Sequence, residues 1–192
     1  NTSAVRHSLN DNLKDLYLPI LDDTYGLDEP AYSQAQAIEK FAEAGWTKGD
    51  DGHLHHDDQT LNIKVAYIKT DELKHTADAL AQQWRKLGIK AQLVAVDTSK
   101  SSDGGVQTVL QPRAYDVLIY QMNIGADPDV YAYWHSSQAT NDGLNFSNYN
   151  NGVVDDALLS ARSRSNEALR RAKYTVFARR WLSDVPAIGL YQ

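Results

Sequence analysis

The sequence predicts an α/β fold, a single lobe with a mixed, partly parallel β-sheet flanked by helices. Three observations carry this. Residues 70–88 show an amphipathic helical pattern. Runs rich in Val, Ile and Leu lie directly before and after it, at 61–68 and 91–96, and a third run, Tyr-Asp-Val-Leu-Ile-Tyr-Gln-Met, follows at 115–122. A strand–helix–strand crossover is right-handed in nearly all sheets and makes its two strands parallel. The first two runs are therefore expected to be parallel, with the helix crossing between them.

In the 70–88 helix, Leu73, Ala77, Leu80, Trp84 and Leu87 recur on one face. Thr70 can cap the first amides, Asp71 and Glu72 suit the positive end, Arg85 and Lys86 suit the negative end, and Gly88 suits a left-handed stop. The run at 115–122 reads as a strand buried on both faces at its centre. An earlier helix is expected at 31–44, with Pro30 near its first turn, Ile38, Phe41 and Ala42 on its inner side, Gly45 at its end and Trp46 covering it. Two further helices are expected at 153–162 and 166–182, followed by a short strand at 187–191. In the last helix Leu169, Ala172 and Val176 form one apolar stripe, and Tyr174, Ala178 and Trp181 form a second. This predicts packing on two sides, with the stems of Arg162, Arg164, Arg170, Arg171, Lys173, Arg179 and Arg180 at the margins.

At 192 residues the chain is the size of one domain and long enough to bury a core. The absence of Cys excludes a disulfide scaffold and a thiolate metal site. A net charge of -6 and a pI near 5.4 oppose the basic surface a nucleic-acid partner requires. No run approaches the roughly twenty apolar residues of a membrane span. The chain opens Asn1-Thr2-Ser3, with neither initiator Met nor signal peptide, and is read as an excised piece of a longer protein.

A hydrolase serine elbow, a phosphate loop, a dinucleotide glycine fingerprint and a zincin helix are all absent, which removes the positive case for catalysis. The most chemically loaded stretch is 50–58, where His53, His55 and His56 stand among Asp50, Asp51, Asp57 and Asp58. Imidazoles and carboxylates can bind zinc or nickel. Adjacent His55 and His56 would point apart in an extended chain, however, and Asp-Gly with dense charge favours a solvated turn. A second stretch leaves the third strand through Asn123-Ile124-Gly125-Ala126-Asp127-Pro128-Asp129 and reaches Tyr131, Tyr133 and Trp134. Loops at the carboxyl ends of strands are where open α/β sheets bind ligands. Residues 141–149 add Asn141, Asn145, Asn148 and Tyr149, whose amides and ring hydroxyls suit a polar ligand with apolar parts, or ordinary Asx-rich turns equally well.

The same stretches carry a resemblance. Ala-Ile-Glu-Lys-Phe-Ala-Glu-Ala-Gly-Trp at 37–46, the Leu-Gly-Ile ending at 87–89, Tyr115-Asp116, Asp127-Pro128, Asn145-Phe146-Ser147 with Tyr149, Val154-Asp155, Arg170 with Tyr174, and Val185 to Tyr191 follow one another in order. Together they resemble the peptide-type extracellular solute-binding proteins, family five, which deliver peptides, and in some branches nickel, to ABC importers. The resemblance implies a periplasmic-binding-protein-like (type II) C-terminal lobe that lacks its larger N-terminal lobe. It also implies an extracytoplasmic location, with a lipid anchor on the full-length parent.

On this reading the chain binds a peptide or small solute and passes it to a membrane permease. Asn123, Gly125, Asp127, Asn145 and Tyr149 line its cleft, and no catalytic residue, metal ligand or cofactor is assigned. The sequence departs from many peptide-binding relatives at Ile124, where an Asp would meet a peptide's amino terminus. Two other functions stay open: a metal-dependent hydrolase using His53 to Asp58, and a protein-interaction module with no small ligand.

Overall fold

The side-chain oxygen of Asn1 accepts from the Ala4 amide and opens α1 (Thr2–Leu9). Ser33 opens α2 (Gln34–Glu43) in the same way, through the Gln36 amide. The structure is a computed structural model describing residues 1–192 except 21–24, 29–30, 101–103, 126 and 128. Pro30, Ala126 and Pro128 thus lie outside the described residues, and α2 starts later than the expected residue 31. The face expected to pack inward is largely open, since Ile38 is 53% exposed and Ala42 is exposed. The Trp46 ring lies 5.5 Å from that of His56.

The chain divides into two compact bodies, the first chiefly residues 3–11 and 31–121, the second 12–30 and 122–192. In the first body, β1 (Thr47–Lys48), β2 (Leu54–His56) and β3 (Gln59–Thr60) form a small antiparallel sheet. β4 (Asn62–Ile68), α3 (Asp71–Leu87), β5 (Lys90–Val96) and β6 (Val117–Ile119) follow. The second sheet has the order β5-β4-β6 and is wholly parallel, with Val65 opposite both Leu93 and Val117. Parallel and antiparallel pairings are therefore divided between two sheets.

α3 has the ends its sequence predicts. Thr70 Oγ1 accepts from the Leu73 amide at 3.1 Å, and Gly88 takes a left-handed φ of 98°. Gly88 is also required sterically, because an added Cβ would stand 2.9 Å from the Gly52 carbonyl oxygen. Leu73 and Ala77 pack with Val65, Tyr67 and Ile119 to form this body's core, and Leu80 and Trp84 lie against it.

The third strand is shorter than the expected 115–122. Asp116 Oδ2 accepts from the Lys64 amide while the Asp116 amide donates to the Lys64 carbonyl, so a side chain replaces the backbone acceptor and the ladder begins only at Val117.

The second body contains α4 (Tyr131–Trp134), α5 (Gly152–Arg162) and α6 (Glu167–Asp184). Val154, Ala157, Leu158 and Ala161 of α5 and Tyr174, Phe177, Ala178 and Trp181 of α6 form its core with Leu18, Ile20, Val130 and Trp134. α6 is not packed on two sides. Its Leu169–Ala172–Val176 stripe faces outward, with Leu169 53% and Val176 41% exposed, because the helix spends its one buried face on α5 and the core.

No strand forms at 187–191. Gln192 exchanges backbone hydrogen bonds with Lys14, at 2.9 and 3.1 Å, and Gly189 passes so close to Leu16 that an added Cβ would meet its carbonyl oxygen at 2.0 Å. Among the described residues no helix is long and apolar enough to cross a membrane.

Candidate functional site

Past β6 the chain alternates between inside and outside. Met122 and Ile124 pack against the core of the second body, whereas Asn123 and Gly125 are exposed, as a period of two in extended chain requires. Ile124, where a ligand-binding Asp is absent, is therefore an anchor for the loop. The Tyr133 hydroxyl donates to the Asn123 carbonyl at 3.1 Å and fixes the backbone at that point.

Gly125 has no positive φ, and a Cβ built on it would find no atom within 4 Å. Neither backbone conformation nor close packing within the described residues calls for glycine there.

Asp127 is exposed but paired, since its Oδ1 accepts from the Arg170 guanidinium. Asp129 is paired with Arg162 at 2.8 Å, and its Oδ1 accepts from the Tyr131 amide at 3.1 Å. Charge on this stretch is thus neutralised within the chain.

Asn145 has a different role from the one its residue type suggests. It is fully buried. Its Nδ2 donates to the carbonyls of His135 (3.1 Å) and Tyr149 (2.9 Å), and its Oδ1 accepts from the Tyr149 amide (3.1 Å) and the Ser147 hydroxyl (3.0 Å). Every polar position of the amide is used inside the protein. Asn145 orders the 145–149 turn and has no bonding capacity left for a ligand.

Tyr149 packs its ring against the core and donates its hydroxyl to Asp184 Oδ2 at 2.7 Å, where Asn151 Nδ2 (2.7 Å) and Arg180 Nε (2.9 Å) also converge. Both of these loops are tied to the Tyr133–His135 stretch, one through Asn123 and one through Asn145. The structure thus puts Asn123, Gly125 and Asp127 on one exposed loop, with Asn145 and Tyr149 in a neighbouring turn as organisers.

Sequence reasoning named Arg162, Arg170 and Tyr133 without giving them a part in the site, and did not name Asp184. The one available signal was the spacing of Arg170 and Tyr174, four apart on a helix, which lets a guanidinium lie over a ring.

Burial and the Asp184 carboxylate push the Tyr149 phenol up. The Tyr149 hydroxyl, followed by Arg180 and Asn151, holds Asp184 below its ordinary 3.8. A carboxyl depressed on folding stabilises the fold above its unfolded pKa, and that contribution is lost as pH falls through the folded value. Thermal melts on going down from about pH 5 are therefore expected to show a loss below 3.8 that is smaller in Asp184→Asn. Identical acid profiles for the two proteins would contradict this anchor.

The 50–58 stretch forms turns around β2. Asp51 Oδ1 accepts from the His53 amide at 3.0 Å and meets His55 Nε2 at 2.9 Å, while His56 turns to Trp46. Among the described residues no group of three or more His, Asp or Glu side chains is arranged to hold a metal ion. Calorimetry with nickel or zinc is expected to show no stoichiometric micromolar binding. Such binding, abolished by replacing His53, His55 and His56 with Ala, would revive a metal site.

A family model described as bacterial extracellular solute-binding proteins, family 5 middle, matches residues 8–144. Protein XP55 of Streptomyces lividans is 28% identical over 173 residues, covering 87% of this chain and 30% of that protein. NikZ from Campylobacter jejuni, solved with Ni(L-His), superposes with a TM-score of 0.82 at 23% identity, covering 100% of this chain and 39% of NikZ. AppA from Bacillus subtilis, solved with a nonapeptide, gives 0.83 at 24% identity, covering 98% and 38% respectively. The chain thus spans between 30% and 39% of the lengths of these relatives. The fold is mixed α/β, of the type II periplasmic-binding-protein kind.

Proposed function

The chain belongs to the bacterial extracellular solute-binding proteins of family 5, a solute-binding family and not an enzyme family, and from that premise we propose that it is the C-terminal ligand-binding lobe of a longer, two-lobed binding protein. That protein captures an oligopeptide or a related small solute outside the cytoplasm and hands it to the permease of an ABC importer, held at the membrane by a lipid anchor. It makes and breaks no bond. Burial of the ligand between lobes supplies the affinity, and closure reports occupancy to the permease.

Gly125 is the observation that supports this reading most. An exposed glycine without left-handed backbone, whose added Cβ would meet no atom within 4 Å, leaves space beside the chain for another molecule. Asn123, two residues earlier on the same side, adds an amide that donates and accepts. Asp127 and Tyr149 are proposed at the margin of the contact, and Asn145 acts through the turn it orders. The outward stripe of Leu169, Ala172 and Val176 supports a further part of the proposal, that the rest of the longer protein is a partner of this chain.

The test is calorimetric titration of the longer protein with short peptides and, separately, with Ni(L-His). One peptide or small-solute class is expected to bind at micromolar or better affinity, about -8 kcal/mol. Hydrolysis of the added peptide, or binding of no class at all, would overturn the reading.

A further inference from the structure

Two arginines from the helical hairpin reach the exposed loop by the same construction. Arg162 of α5 lies 4.4 Å from the Tyr131 ring centre and closes on Asp129 at 2.8 Å. Arg170 of α6 lies 5.6 Å from the Tyr174 ring centre and closes on Asp127. A guanidinium held over an aromatic face keeps its plane and its fork of donors directed, so it loses less freedom on meeting a carboxylate than a free side chain would. Exposed ion pairs contribute little to overall stability, and here each is instead a geometric constraint on the segment that bears it.

We infer that Arg162 and Arg170 are positioning residues of the candidate site, two clasps that hold the stretch carrying Asn123 and Gly125 in a binding-ready shape and turn its two carboxylates away from a ligand. The inference rests on the functional reading above. Its first consequence is preorganisation, because a loop already ordered before binding does not have to be ordered by the ligand. Its second is chemical. With Asp127 and Asp129 both neutralised within the chain, the loop offers a ligand amide and backbone groups, and an uncharged peptide backbone suits it without a cationic end.

The experiment uses the 192-residue chain with Arg162→Gln, Arg170→Gln and both together. It measures ¹⁵N order parameters at Asn123 and Gly125, with Val65 of β4 as internal control. Order near 0.85 is expected for both loop residues in the unaltered chain, falling below about 0.6 in the double variant while Val65 stays rigid. Arg170→Lys, which keeps the charge, is expected to retain most of the order. If an arginine variant fails to fold, Asp127→Asn with Asp129→Asn removes the same two clasps from the other side.

The same samples are titrated with millimolar N-acetyl-trialanine amide. Amide shifts at Asn123 and Gly125 are expected to weaken at least about fivefold in the double variant, since ordering the loop then falls to the ligand. Unchanged order in the double variant would overturn the clasps, and so would an equal loss at Val65. Lost order with unchanged probe binding would overturn the positioning role. An unaltered chain whose Asn123 and Gly125 do not respond to the probe would overturn the match to an uncharged peptide backbone, with the order parameters still deciding the clasps and titration of the longer protein deciding the functional reading.

Discussion

Replacing Asn145 by Ala is expected to destabilise the chain by about 3 kcal/mol, a large effect for a residue of a type usually found in surface turns. The side chain is fully buried and makes four hydrogen bonds. Truncation strips partners from the His135 and Tyr149 carbonyls, the Tyr149 amide and the Ser147 hydroxyl together. Each buried polar group left unpaired costs about 1–3 kcal/mol, and water entering the vacated space recovers part of the sum. Denaturant titration of the variant measures it directly, and in a domain of this size the same loss lowers the melting temperature by roughly 6–12 °C. A change below about 0.5 kcal/mol would show that the turn stands without the amide, and would return Asn145 to the pool of ligand contacts.

The second large effect is expected in binding. Gly125→Trp places a bulky ring on the exposed side of the loop, where a Cβ has no neighbour within 4 Å. Stability of the 192-residue chain is therefore expected to change by no more than about 0.5 kcal/mol. In the longer protein the ring occupies the space a ligand would use, and affinity is expected to fall at least tenfold, about 1.4 kcal/mol. Fluorescence or calorimetric titration of the variant against its parent, beside melts of both, separates the two quantities. Unchanged affinity would mean that Gly125 faces no ligand, and a strongly destabilised variant would mean that the open space is filled in solution.

What was legible in the sequence is what local chemistry controls. α3 could be read to its ends because Thr70, the paired charges and Gly88 each act within one turn of the helix. Its flanking strands, parallel as the crossover rule requires, were readable from branched side chains alone. β1, β2 and β3 were not, because strands of two or three residues are too short to display alternation. The late start of β6 depends on the Asp116 carboxylate meeting Lys64, 52 residues away, and no local pattern carries that information. The same holds for α6, where Leu169 and Val176 are as apolar as the buried residues and only the placement of α5 decides which stripe is covered.

At the candidate site, residue type could not assign roles. Asn123 and Asn145 are chemically identical, yet one is exposed and the other is enclosed with every hydrogen bond made. Asp127 read as a residue lining the cleft, and its pairing with Arg170, 43 residues on, is made only by the fold.

The central claim is that this chain is part of a protein that holds a solute, and native mass spectrometry of the longer protein, purified without added ligand, tests it most directly. The expected result is a fraction of molecules carrying one bound peptide or small solute, released on denaturation and absent from Gly125→Trp. A protein that emerges empty under every condition, and stays empty after incubation with peptides and Ni(L-His), would contradict the account.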